Sequence, residues 1–148
     1  MRPNPHQRHL LGINDFMAEA EAARARGKSL AMTSGSFDKC DAVELRQLRQ
    51  AARYGDVLLV LVLNDFQAAG CRHAAAFRAD RVAAVRWVDL VAVAVPPPEW
   101  FIEALLPDAW IWSGDPESDP GRAFVQRYDG RVIQLAQPTP QRELPLTG

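Results

Sequence analysis

The sequence predicts the α/β class, with helices on both faces of a five-stranded parallel sheet. Three observations predict it. Short apolar runs alternate with segments of helical periodicity along most of the chain. One run, Val57–Leu63, is apolar at every position, as a strand buried on both faces must be. The length of 148 residues, 48% hydrophobic and 24% charged, suits one domain with a sizeable core.

Each element has a local reason. Residues 1–13, with Pro3 and Pro5, read as a flexible lead-in. A helix follows over 14–27, with Asn14 as its cap, Asp15 in its first turn and Gly27 as its end. Phe16, Met17, Ala20 and Ala23 recur there at helical spacing. Residues 29–33 form a short apolar strand. Residues 41–54 form a helix with Leu45, Leu48 and Ala52 on one face, closed by Gly55-Asp56. After Val57–Leu63 come a helix over 77–87 and a strand over 89–95. Pro96-Pro97-Pro98 stops that strand, and a short helix covers 99–105. Strands over 108–112 and 131–135 complete the domain of residues 14–136. Residues 137–148 hold three prolines and read as an extended or disordered tail. The expected arrangement is Rossmann-like, a three-layer α/β/α stack with strand order 3-2-1-4-5.

Composition excludes several classes. A net charge of -1 argues against a nucleic-acid binder. No stretch approaches the roughly 18 apolar residues of a membrane span. The start, MRPNPHQRHLLG, lacks the apolar core of a secretory signal. Two cysteines do not make a disulfide framework, so a cytoplasmic location is expected. The three histidines stand apart, and no metal site is assigned.

In an open α/β sheet, ligands bind at the carboxyl ends of the strands. The first strand runs into Ser34, Gly35, Ser36, Phe37 and Asp38, just before a helix start that could cradle an anion. Asn64 and Asp65 follow the second strand, and Gly114 and Asp115 follow the fourth.

These segments resemble the nucleotidyltransferase (cytidylyltransferase-like) superfamily, and within it the adenylyltransferase domain of heptose-phosphate kinase/adenylyltransferases. The resemblance rests on TSGSFD at 33–38, ARYGD at 52–56 and VLLVLVLND at 57–65. It continues through RARGKS at 24–29, Arg78 with Val88-Asp89, Leu106-Pro107-Asp108, Ser113-Gly114-Asp115 and Asp129-Gly130-Arg131-Val132. It implies transfer of a nucleotidyl group from ATP or CTP to a sugar or polyol phosphate. It implies a nucleoside triphosphate as substrate or ligand, with magnesium as cofactor. The implied nucleotide-binding residues are Ser34, Gly35, Ser36, Phe37, Asp38, Asn64, Asp65, Gly114 and Asp115, with Arg78 positioning phosphate. The expected assembly is a homodimer or a complex with a partner enzyme.

One departure stands at the centre. The family signature H-x-G-H falls on Asp41-Ala42-Val43-Glu44, so two carboxylates replace two histidines. A carboxylate about 4 Å from a phosphate charge costs on the order of 4 kcal/mol at an effective dielectric near 20. Asp41 and Glu44 can serve as catalytic groups, holding magnesium together with Asp38. They also match a capping box, Asp41 as N-cap and Glu44 at N3. Two functions stay open: a diverged transferase, or an inactive protein on the same fold that binds a nucleotide or metabolite or acts as a partner subunit. The family's closing S-T-T segment falls on Gln137-Pro138-Thr139-Pro140, and Trp112 could stack on a base or simply pack.

Overall fold

The computed structural model describes residues 11–136. The expectations for residues 1–10 and 137–148 lie outside the described residues.

Five strands form the sheet: β1 (Leu30–Gly35), β2 (Val57–Leu63), β3 (Leu90–Ala94), β4 (Ala109–Trp112) and β5 (Arg131–Gln134). Their order is β3-β2-β1-β4-β5, and every pairing is parallel, as the sequence predicts. The chain crosses over after each of the first four strands, and α2 (Ala42–Ala51), α3 (Ala75–Ala83), α4 (Pro98–Leu105) and α5 (Arg122–Gln126) fill the crossovers. The leading helix α1 (Ile13–Ala25) precedes the sheet.

Two apolar layers sandwich the sheet. On one face Leu48 and Ala51 of α2 and Ala79 and Val82 of α3 pack on Ala31, Val60, Val62 and Ile111. On the other face Phe16 and Ala20 of α1, Phe101 and Ile102 of α4 and Val125 of α5 pack on Leu30, Met32, Leu59 and Trp110. Alternate residues of each strand thus serve opposite layers.

Several boundaries differ from the sequence expectation. The cap of α1 is Gly12, not Asn14, and the helix starts at Ile13. Leu11 donates its N–H to the Val91 carbonyl (3.0 Å), which draws the chain against β3 just before that cap. Gly27 does end α1. It adopts φ +79, its N–H donates to Arg24 O, and the Lys28 N–H donates to Ala23 O. That paired pattern needs a left-handed residue, which glycine supplies at no steric cost. Helix α2 is shorter than expected because its last turn tightens into a 3-10 turn, Ala52–Tyr54. Helix α3 is shifted towards the N-terminus, spanning Ala75–Ala83 rather than 77–87. Strand β1 runs on to Gly35, two residues past the expected end.

Candidate functional site

The carboxyl ends of the strands carry two loops that are tied together by one buried cation. Arg78 of α3 is 0% exposed. Its Nε donates to the His73 carbonyl (2.9 Å) and one terminal nitrogen to the Ser36 carbonyl (2.7 Å). The other terminal nitrogen donates to Asp65 Oδ1 (3.1 Å), whose residue side chain is 65% exposed. Asp65 Oδ1 also accepts from the Ala75 N–H, at the start of α3 (2.9 Å). One side chain therefore joins the loop after β1, the loop after β2 and the helix that follows.

Asp38 repeats the link from the other side. Its carboxylate accepts from the Arg72 N–H (2.9 Å) and the His73 N–H (3.1 Å). These bonds hold the Asp38 carboxyl below its ordinary range, the Arg72 N–H contributing most. Arg81, one helical turn beyond Arg78, donates to the carbonyls of Phe37 (2.9 Å) and Asp38 (2.7 Å). Phe37 (φ 54) and Cys40 (φ 47) both occupy the left-handed region. Each such residue costs on the order of 1–3 kcal/mol and persists only where its surroundings hold it. At Phe37, Arg81 and the bonds of the adjoining Asp38 supply that hold.

The start of α2 is closed by its own side chain. Asp41 is the N-cap, and its Oδ1 accepts from the Glu44 N–H (3.0 Å). The capping half of the predicted box is therefore present. Glu44 is half-buried, and its carboxyl is pushed up, first by burial and then by the neighbouring Asp41 charge. The N–H groups of Cys40 and Lys39 and the Arg81 cation pull the other way. Burial also pushes up the Cys40 thiol, the opposite of an activated cysteine.

Two cavities share the Glu44 wall. One, of about 190 Å³, is lined by the end of β1 from Thr33 to Gly35, Ser36, Phe37, Glu44, Gln47, Leu48, Ser113 and Leu135. The other, of about 560 Å³, lies between the loops after β1 and β2, with Asp38, Lys39, Glu44 and Cys71 in its wall. Of the residues expected at a nucleotide, Ser34, Gly35, Ser36 and Phe37 line the first cavity, and Ser36 and Asp38 line the second. Strand alternation places the Ser34 side chain on the face of Leu30 and Met32, where its buried Oγ has no hydrogen-bond partner.

Asn64 and Asp115 have their side chains engaged within the fold, and Gly114 sits in a close approach. Asn64 accepts from the N–H groups of Phe66 and Gln67 and donates to the Ala94 carbonyl (2.8 Å), which shapes the turn after β2. Asp115 caps the 3-10 turn Pro116–Ser118 through the Glu117 N–H (3.1 Å). Gly114 lies against Trp112: a Cβ there would come within 2.8 Å of the indole ring. The Trp112 Nε1 donates to the Asp115 carbonyl (2.8 Å), so the indole packs under its own loop.

Sequence reasoning passed over Gln47 and Leu135, which line the smaller cavity, quoted Ser113 only as part of a motif, and passed over Arg81, which holds the carbonyl of the lining residue Phe37. Gln47 was traceable, since it stands one turn after Glu44 on the same face of α2. Nothing in the sequence marks Arg81 apart from the other arginines.

Magnesium fits these residues poorly. Among the described residues no three His, Cys, Asp or Glu side chains gather as ion ligands. Asp38 spends its oxygens on the Arg72 and His73 N–H groups, and Asp41 spends one on the helix end. Among the described residues no helix is long and apolar enough to cross a membrane.

Comparison with known proteins agrees with this layout. No family model matches the chain. The bifunctional protein HldE of Pseudomonas paraeruginosa is 32% identical over 145 residues, covering 90% of this chain and 30% of the relative. HldE of Halorhodospira halophila is 34% identical over 129 residues, covering 81% of this chain and 27% of the relative. The chain thus spans less than a third of the length of these relatives. Among solved structures, the lipopolysaccharide core biosynthesis protein from Thermoplasma volcanium GSS1 superposes with a TM-score of 0.67 at 16% identity. That match covers 76% of this chain and all of the other, and it shows the shared fold. Over most of its length the chain is a homologue of part of the HldE heptose-phosphate kinase/adenylyltransferases, and it has the cytidylyltransferase-like fold.

Proposed function

We propose that this chain binds a nucleotide or a related phosphorylated small molecule at the carboxyl ends of β1 and β4 without transferring a nucleotidyl group. One observation carries the reading: the N-terminus of α2 is occupied by Asp41, with Glu44 on the wall of both cavities. In the resembling family this helix start holds two histidines against the triphosphate. Here the backbone N–H of Glu44 is already satisfied, and the helix dipole is already met by a carboxylate. Loss of one transition-state donor alone lowers kcat by roughly 100- to 1000-fold. Two donors replaced by anions lower it further. Arg78, the expected phosphate-positioning group, is buried and bonded to two loop carbonyls, and acts here by holding the loops.

A second reading is favoured by the identity to HldE across most of the chain. In it, the protein transfers a nucleotidyl group from ATP or CTP to a sugar or polyol phosphate. Magnesium would then arrive on the nucleotide phosphates, since the chain's own carboxylates do not converge on an ion. Under either reading the protein works in the cytoplasm, as a homodimer or with a partner enzyme.

The deciding experiment is pyrophosphate release over four nucleoside triphosphates and a panel of sugar and polyol phosphates. The expected outcome is no turnover by the natural chain. Turnover that appears only in the triple variant Asp41→His, Val43→Gly, Glu44→His supports a lapsed transferase. Turnover by the natural chain establishes the second reading.

A further inference from the structure

The smaller cavity is the part of the site whose chemistry is most restrictive. Its volume of about 190 Å³ lies below the roughly 300 Å³ at which pockets for whole drug-sized ligands begin. Its wall holds the hydroxyl residues Thr33, Ser34, Ser36 and Ser113, the amide of Gln47 and the carboxylate of Glu44, with Phe37 among its apolar residues. The Thr33 hydroxyl donates to the Ile111 carbonyl (2.8 Å). Among the described lining residues there is no Lys, Arg or His. The nearby arginines do not make up for that. Arg78 is buried on carbonyls, and one terminal nitrogen of Arg81 is spent on the Phe37 and Asp38 carbonyls, its Nε being buried without a partner; neither residue lines the smaller cavity. The larger cavity brings one cation, Lys39, against Asp38 and Glu44. A phosphate in the smaller cavity meets Glu44 and no lining cation.

A carboxylate and a set of hydroxyls are instead suited to a ligand that donates hydrogen bonds. We infer that the smaller cavity takes the uncharged, hydroxyl-bearing part of a nucleoside, and that the site ranks ligands inversely by phosphate count. A nucleoside binds above its monophosphate, and the monophosphate above its triphosphate. Glu44 sets that order by accepting from ligand hydroxyls and repelling phosphate. The inference rests on the reading that this site binds ligands of the nucleotide class, and it names which members of the class.

The test is calorimetric titration of the natural chain with adenosine, AMP and ATP and with cytidine, CMP and CTP, in the presence of a chelator. In at least one series Kd is expected to rise at least tenfold from nucleoside to triphosphate. At about 1 M salt, where the Debye length is roughly 3 Å, that ratio is expected to shrink. In Glu44→Gln the ratio is expected to fall at least tenfold. Asp41→Asn keeps an oxygen for the helix cap and is expected to move the ratio in the same direction. A triphosphate that binds the natural chain as tightly as its nucleoside, or a ratio unmoved in both variants, overturns the inference and leaves the nucleotide-class reading standing. Failure of all six ligands to bind the natural chain or either variant rejects that reading and the inference with it.

Discussion

Asp41 and Glu44 sit three residues apart and do different work. Asp41 closes the helix start through its Oδ1 contact with the Glu44 N–H. Asp41→Ala is therefore expected to lower stability by about 1 kcal/mol, while Asp41→Asn stays within a few tenths. Urea unfolding of the two variants checks this, and equal losses would show that the cap contributes nothing. Glu44 acts with the opposite sign. Burial raises its carboxyl above the ordinary range, so the folded state favours the protonated form. Its contribution is complete below the unfolded value of about 4.3 and is lost as pH rises through the folded value. Glu44→Gln is thus expected to melt above the natural chain at pH 7, with the gap closing towards pH 4. Parallel melting curves at both pH values would contradict that assignment. The capping role was readable from the spacing Asp41-x-x-Glu44. The partial burial of Glu44 was not, because it depends on two loops that come from distant parts of the chain.

Elements were legible where periodicity is long and punctuation is strong. β2 has the predicted bounds, since seven apolar residues follow Gly55-Asp56. α5 was missed because a five-residue helix completes little more than one turn and shows no period. The strand pattern places these loops at the carboxyl ends, while Arg78, expected to position phosphate, is buried against loop carbonyls. A cation at a helix start reads equally as a ligand contact or as an inward tether, and only packing separates the two. The observed tether has a measurable consequence. Arg78→Met removes donors from Ser36 O, His73 O and Asp65, each worth roughly 1 kcal/mol or more, so a loss of about 3 kcal/mol is expected. Arg78→Lys recovers only part of it, because an ammonium cannot span three acceptors in that fork. Hydrogen exchange should localise the effect. The Arg72 and His73 amides, held by Asp38 across the same pair of loops, are expected to exchange faster in both variants. Protection there equal to that of the natural chain would show that Asp38 alone holds the loops.

At the scale of the molecule, the described residues form two apolar layers on one sheet, and the sheet is where their energies meet. Val82 is fully buried on α3 in one layer, and Ile102 is fully buried on α4 in the other. The strands between them send alternate side chains to each side, so the two residues belong to different clusters of packed groups. Val82→Ala removes two methyl groups and should cost about 2 kcal/mol, while Ile102→Val removes one and should cost about 1 kcal/mol. If the layers share only a rigid sheet, the double variant loses the sum to within roughly 0.5 kcal/mol. If the domain is one cooperative unit, all three variants also keep a single urea transition with the slope of the natural chain. Coupling well beyond that margin would mean that the sheet transmits repacking from one face to the other. The loops that shape the candidate site rest on the α2 and α3 side, so strain from the α1, α4 and α5 side would then reach Glu44. Additive losses with an unchanged slope would isolate the site from changes on that far side.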